Sequence, residues 1–527
     1  MDGSFIKSSA SSENTFNGMG SGIPKRVTWL LLLGFAALIA LTRLHNYNEP
    51  TDRDQATYAV MAHEVLSGER LYDGVLLDQK PPAIHVTYGI AEWIAGYGRR
   101  QIYLLSVVAA IVTMLGFYFA GRTFGDRAGL WAAALWTIVS GHLQLEANQP
   151  NSEVFINAWT VIALAALLRQ SAARWSWCPA ALAGVCFAAA SLYKHVVVLI
   201  PAFVLLAYVY WPREGRTRKT ALLDMAIIGG IGVLAWGMMF AYFAATARLD
   251  SVINCLFTYN RHYSGNTQRN LFSVLTNPEA LLSPGLLGLT PLILTALFGT
   301  FRMWMQRQYF RAAFLAALAI GTQVAVALPG RFYPHYYQLW FPFLILGTVA
   351  ALESFGQTKT VKAKMYRFGA PVLALLLIAI EAPAYFESPT ELSFVKYGEV
   401  FVTTDRLAKK IKALLKPGET FWQLGSQVQL YMDTKQRPQG ALSDYGLFSG
   451  PLSAELLRGT MESLQAHPPD LLVVEKLSIK QIPEGHPMLS WIEKNYYRPQ
   501  RDADYGLFFL MVRNGSTLEE RLHGQPK

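Results

Sequence analysis

Charge is what this chain has least of. Only 16% of its 527 residues are Asp, Glu, Lys or Arg, against roughly 25% in a soluble domain. With 52% hydrophobic residues and a mean hydropathy of +0.24, this excludes a string of soluble domains and points to a membrane protein. Cysteine is also scarce. Cys178, Cys186 and Cys255 are too few for a disulfide framework. Cys178 and Cys186 fall on one expected helix, about 12 Å apart at 1.5 Å per residue, beyond disulfide reach. All three read as core packing. There is no internal repeat, and low complexity is confined to the Ser/Gly-rich N-terminal tail. Acidic residues are outnumbered, 36 against 46 Lys and Arg, for a net charge of +10. That surplus falls in short loops between apolar runs, where it sets orientation and gives no reason to expect nucleic acid.

What is present is a series of long apolar segments. A spanning helix needs roughly 20 mostly apolar residues, and eleven segments answer to that: 27–44, 101–121, 128–144, 153–168, 176–193, 195–211, 222–246, 284–301, 312–329, 338–353 and 368–384. Gln101–Gly121, Met225–Ala247 and Ala280–Phe301 carry no charge. The fifth and sixth are separated only by Tyr193, Lys194 and His195. A polar tail precedes the first, with no small-residue cleavage site, so a signal peptide is not expected. Residues 1–26 read as a disordered cytoplasmic tail. Alternate loops hold Lys25 and Arg26, Arg122 and Arg127, Arg169 and Arg174, Arg213 to Lys219, Arg302 to Arg311, and Lys359 to Arg367, while 145–152 has no positive charge. The positive-inside rule then places the N-terminus in the cytoplasm and the C-terminus outside a bacterial plasma membrane.

The first outside loop, 45–100, predicts two amphipathic helices on the outer membrane face. In Asp54–Gly68 the residues Tyr58, Met61, Ala62 and Val65 recur at helical spacing, and Pro81-Pro82 opens a second stretch through Trp93. Residues 248–283 form a polar, aromatic outside loop. Residues 385–527 change character. A Lys-rich helix ends before Pro417-Gly418, Glu419–Leu424 and Asp470–Glu475 read as strands, and Tyr496–Arg513 as a final strand pair, the pattern of an α/β domain outside the membrane. The expected organisation is thus a helical membrane module over 27–384 and an α/β domain over 385–527, the latter helping to select the acceptor.

Ionisable residues at membrane depth are functional by default, and here they gather at the outward ends of the spans. They include Asp52, Asp54, Asp78 and Lys80; Glu146 and Glu153; Lys194 and His195; and Arg331 and His335. Asp54-Gln-Ala-Thr-Tyr58, Gly68-Glu-Arg-Leu-Tyr72 and Asp78-Gln-Lys80-Pro-Pro82 resemble the first-loop signature of GT-C membrane glycosyltransferases. More narrowly they are similar to protein O-mannosyltransferases and the aminoarabinose transferases (glycosyltransferase family 39). Asn151-Ser-Glu153 resembles the second acidic motif, and Arg331-Phe-Tyr333-Pro-His335-Tyr336-Tyr337 the late outside motif. In one respect the chain departs. Relatives carry Asp-Glu where this chain has Asp54-Gln55.

The resemblance implies a polytopic α-helical GT-C fold and an inverting transfer of a sugar from a polyprenyl-phosphate donor to a lipid, glycan or protein hydroxyl. It implies Asp54 as base, and Lys80, Lys194, Arg331 and His335 as ligands of the donor phosphate. Asp78, Glu153, Tyr58, Tyr333 and Tyr337 would meet sugar or acceptor. The resemblance fixes no cofactor; Asp52 and Asp54 form a D-x-D pattern that leaves a divalent cation, Mg or Mn, open, a role the missing second carboxylate weakens. Asp54 also suits a helix N-cap. Two other readings remain: a transporter or lipid flippase, whose polar groups sit at the midplane in repeated halves, and a polymerase or ligase with a diphosphate-linked donor.

Overall fold

The computed structural model describes residues 23–169, 177–276, 284–356, 361–444, 446–499 and 504–523. The expected tail up to residue 22, Arg174 and Lys359 of the basic loops, and residues 280–283 of the uncharged stretch Ala280–Phe301 lie outside them. In chain order the helices are α1 (Lys25–His45), α2 (Arg53–Leu66), α3 (Ala83–Ala95), α4 (Arg99–Gly121), α5 (Asp126–Val139), α6 (Ser152–Arg169), α7 (Trp177–Ser191), α8 (Leu199–Tyr210) and α9 (Arg218–Ala245). A broken helical stretch over 249–276 follows, containing one π-turn at Asn254–Tyr259. Four long helices close the bundle: Thr290–Met305, Tyr309–Ala327, Phe341–Gly356 and Val361–Glu381.

Each expected apolar segment contains a helix within its described residues. Among the described residues six segments are long and apolar enough to cross a membrane: α1, α4, α6, α9, Tyr309–Ala327 and Phe368–Tyr385. Their outer faces are bare hydrocarbon, with Leu30, Leu33 and Leu41 on α1 and Val233, Leu234 and Met238 on α9 all exposed, as a lipid solvent requires. Inside, small residues let backbones close up. A Cβ on Gly299 would lie 2.1 Å from the Gly347 carbonyl oxygen, so Thr290–Met305 and Phe341–Gly356 meet where only glycine fits. The third expected span stops early, at Val139 instead of 144. Arg43, buried in α1, donates from Nη2 to the Ser140 carbonyl at 2.8 Å and from Nε to the Ser106 carbonyl at 3.1 Å. The carbonyl that would continue α5 is turned to that cation, and a 3₁₀ turn at Leu143–Leu145 begins the next loop.

Helices α2 and α3 are the two amphipathic helices expected. Helix α3 turns Ile84, Tyr88 and Ala91 inward and leaves Val86, Ile90, Trp93 and Ile94 exposed, Trp93 by 84%. Those four fall on one stripe of a 3.6-residue helix. The cysteines are all unpaired; Cys186 and Cys255 are buried as expected, but Cys178, at the start of α7, is exposed. The exposed Cys178 is therefore not core packing.

The C-terminal part carries a five-stranded mixed sheet of β1 (Phe421–Leu424), β2 (Leu471–Glu475), β3 (Tyr496–Tyr497), β4 (Asp504–Tyr505) and β5 (Phe508–Arg513). The order is β1-β2-β5-β3, with β4 also on β5. Strands β1 and β2 are parallel and the other pairs antiparallel. Phe508, Leu510 and Val512 alternate into the core along β5. Ion pairs tie this part to the bundle: Arg99–Asp405 at 2.8 Å, Arg437 Nε to Glu64 at 2.9 Å, and Lys396–Glu49.

Candidate active site

One face of the bundle collects side chains from four distant parts of the chain. Helix α2 supplies Asp54 and Tyr58, and Pro81-Pro82 at the start of α3 fix the loop that carries Lys80. Lys80 Nζ donates to Asp54 Oδ2 at 3.1 Å and sits 4.3 Å from the centre of the Tyr58 ring, whose hydroxyl donates to the same oxygen at 3.2 Å. Helix α6 opens with Glu153, and the turn between α7 and α8 brings Lys194 Nζ to Glu153 Oε1 at 3.0 Å. Lys194 also lies 3.2 Å from the centre of the Tyr336 ring, a cation–π contact. The loop before α6 contributes Glu146, whose Oε2 is 3.2 Å from His335 Nδ1. Glu146 holds a left-handed backbone, φ +56°. A non-glycine residue there costs on the order of 1–3 kcal/mol and persists where its surroundings over-determine it.

Electrostatics divide the carboxylates. Burial opposes ionisation of Asp54, but the Lys80 ammonium, with His335 and Arg53, outweighs it and holds the group at about 2. Asp52 has no such partner. Burial, then the Asp54 and Glu146 charges, push it up to about 7. Burial works against the His335 cation, yet Glu146, Glu153 and Asp54 raise it to about 8. Proton affinities thus differ across a few neighbouring groups, a pattern typical of catalytic centres.

Lys80 and Lys194 line an open cleft of about 400 Å³. Its other walls include Val198, Leu199, Phe257, Leu328 and Pro329, with Tyr263 and Tyr336 between. Two ammonium groups beside an apolar trough suit an amphiphile with an anionic head.

The expected site residues do not all meet. Asp54, Tyr58, Lys80, Glu153, Lys194 and His335 come together. Tyr333 is half-exposed and stacks on His335 with ring centroids 5.8 Å apart. Arg331 lies at the rim, its guanidinium 4.1 Å from the Tyr263 ring centre and Nη2 donating to the Tyr263 carbonyl at 2.8 Å. Asp78 turns away and pairs with the buried His85 at 2.9 Å. Tyr337 is 0% exposed and points into the core. Its neighbour Tyr336 faces the cleft instead, because Pro334–Trp340 is a 3₁₀ helix. At three residues per turn, 333 and 336 share a side, whereas an α-helix would align 333 with 337. Asp54 is the second residue of α2; the N-cap is Asp52, whose side chain makes no capping bond. Sequence spacing also gave no sign of Asn260, which lines the cleft and donates to the Gln79 carbonyl at 2.8 Å.

Asp52 and Asp54 are a poor fit for a divalent cation. Among the described residues no group of three or more His, Cys, Asp or Glu is placed to hold a metal. Lys80 and Tyr58 already occupy Asp54, and Asp52 titrates near neutrality.

Comparison with known proteins agrees with this architecture. Residues 79–249 match the family model described as dolichyl-phosphate-mannose-protein mannosyltransferase. Among solved structures, ArnT from Cupriavidus metallidurans in its apo state superposes with a TM-score of 0.60 at 15% identity, covering 93% of this chain and 98% of that one. The same protein bound to undecaprenyl phosphate gives 0.58 at 15% identity, covering 95% and 100%. The archaeal oligosaccharyltransferase AglB from Archaeoglobus fulgidus, in complex with an inhibitory peptide and a dolichol-phosphate, gives 0.53 at 13% identity, covering 94% and 77%. A search of curated proteins found no match. The fold is that of a polytopic GT-C membrane protein. Residues 79–249 carry the mannosyltransferase family's pattern, and the solved structures share the fold.

Proposed function

We propose that the protein transfers a sugar from a polyprenyl-phosphate donor to an acceptor hydroxyl, with inversion, at the extracytoplasmic face of a bacterial plasma membrane. The observation that carries this reading is the pair Lys80 and Lys194, each held by one carboxylate at the head of a cleft with apolar walls. A single phosphate matches two ammonium groups, and an isoprenoid chain matches the trough. The family-model match over residues 79–249 and the undecaprenyl phosphate and dolichol-phosphate bound to the two structurally similar proteins support the same donor class.

In the mechanism Asp54 takes the proton of the attacking hydroxyl while the lysines and the His335 imidazolium absorb charge growing on the departing phosphate. A carboxylate at about 2 is a weak base. Arrival of the donor draws Lys80 from Asp54 Oδ2 to the phosphate, and Asp54 regains basicity at the moment it is needed. Arg331, planar and able to grip two oxygens and resting on Tyr263, is a further candidate for the same head group.

Native mass spectrometry of protein extracted gently from its own membrane tests the donor. Wild type retains a polyprenyl phosphate, with or without sugar, and Lys80→Ala and Lys194→Ala lose it. Bulk phospholipid alone in all three rejects the reading and favours a transporter.

A further inference from the structure

The second-loop residues beside the site are buried polar groups, and two of their partners come from beyond the membrane helices. The helix Pro389–Tyr397 ends over them. Lys396, with a side chain only 2% exposed, pairs with Glu49. Asn148 Nδ2 donates to Glu49 Oε2 at 3.0 Å. The Tyr397 hydroxyl donates to Gln149 Oε1 at 2.8 Å and also faces Glu146, Asp52 and Glu49. Burial first, and then those carboxylates, push the phenol well above its usual value, so it stays a donor at working pH. From below, Gln338 Nε2 donates to the Leu145 carbonyl at 2.8 Å and Tyr88 to the Pro150 carbonyl at 3.1 Å. The strained backbone at Glu146 is therefore gripped from both sides.

We infer that Lys396 and Tyr397 are positioning residues, holding the 146–151 loop so that the Glu146 carboxylate faces His335. After Leu145 the loop is a run of turns, closed by Ala147 N–H to the His142 carbonyl at 3.0 Å and Gln149 N–H to the Glu146 carbonyl at 3.1 Å, and these side-chain bonds brace it from outside. Slackening them lets Glu146 leave the left-handed conformation and withdraw from His335. The C-terminal part is then a component of the reacting centre as well as a cover over it. The inference rests on the proposed function only for its consequence in turnover.

The charged groups facing His335 are Glu146, Glu153, Asp54 and Asp52, with Lys80 and Lys194 on two of them. Tyr333 and Tyr336 flank its ring. Its titration therefore reports whether Glu146 is in place. The experiment follows deuterium exchange at the His335 ring carbon against pH, by mass spectrometry, on full-length protein in detergent. Tyr397→Phe removes the hydroxyl and keeps the ring on Phe401. Its His335 titration falls by about half a pH unit or more, while retained polyprenyl phosphate stays as in wild type. Lys396→Met gives a fall of the same sign and Lys396→Arg does not. Should Tyr397→Phe fail to fold, Gln149→Leu cuts the same bond from the loop. An unchanged His335 titration in a folded Tyr397→Phe or Gln149→Leu protein overturns the inference, and neither readout requires sugar transfer.

Discussion

Asp54 carries two tasks that ask for opposite proton affinities. As the partner of Lys80 it must stay ionised, and at about 2 it does. As a base it must bind a proton in the transition state. Asp54→Asn keeps a hydrogen-bond acceptor for Lys80 but removes the base. Turnover falls about 10²–10⁴-fold while bound donor lipid is retained, measured by transfer assay beside native mass spectrometry. Neighbouring groups set the response to pH. The folded-state value of His335 rises from 6.5 to about 8. Its contribution to stability is therefore full below 6.5 and lost as pH rises through about 8. Asp52 is raised from 3.8 to about 7, so the folded state binds that proton more tightly and stability again declines as pH rises across that window. Asp54 acts in the opposite sense, losing its contribution as pH falls from 3.8 towards 2. The thermal midpoint in detergent accordingly falls between about pH 5 and about pH 8.5, and His335→Gln removes the upper part of that fall.

The 3₁₀ helix Pro334–Trp340 decides which tyrosine is functional. Tyr337→Ala empties a fully buried site and destabilises the protein by about 3–5 kcal/mol, visible as lost expression or a lower thermal midpoint. Tyr336→Ala leaves the fold intact and weakens donor retention, since Lys194 loses the ring beneath it. No composition signal distinguishes 3₁₀ from α over seven residues, which is why spacing alone favours Tyr337. The long helices were legible because lipid imposes length and composition on them together. The pairs Asp54–Lys80 and Glu153–Lys194 were foreseeable as members of one cluster, though not as pairs, because pairing depends on loop paths. Asp78 illustrates the limit. It lies two residues before Lys80, yet its partner is His85 within the same segment. Nothing in the sequence around Glu146 or Tyr397 could reveal a left-handed residue in one segment held by a hydroxyl some 250 positions away. Such contacts are tertiary, with no period and no local propensity to announce them.

At the scale of the molecule, charge asymmetry fixes a direction that labelling can check. With the basic loops inside, Cys178 is reached by an impermeant maleimide only in inverted vesicles, and a cysteine replacing Asp73 only from outside. The reverse pattern would invert the proposed face of catalysis. The C-terminal sheet and its flanking helices stand over the same face as the cleft, joined to the first loop by Arg99–Asp405 and Arg437–Glu64. A chain shortened to residue 385 therefore lacks two supports of the site, and its weakened turnover would not by itself identify an acceptor-selecting domain.

Helix α3 begins three residues after Lys80 and leaves Val86, Ile90, Trp93 and Ile94 bare along its outer edge. Such a helix floats at the boundary between head groups and hydrocarbon. The height of Lys80 is then set by the water line of the membrane as much as by the bundle beneath it. Donor phosphates ride at that same level, so pocket and ligand rise and fall together when the bilayer thickens or thins. In vesicles of graded acyl-chain length the transfer rate should stay nearly flat, and Trp93→Ser, which cuts the mooring, should make it peak sharply at one thickness.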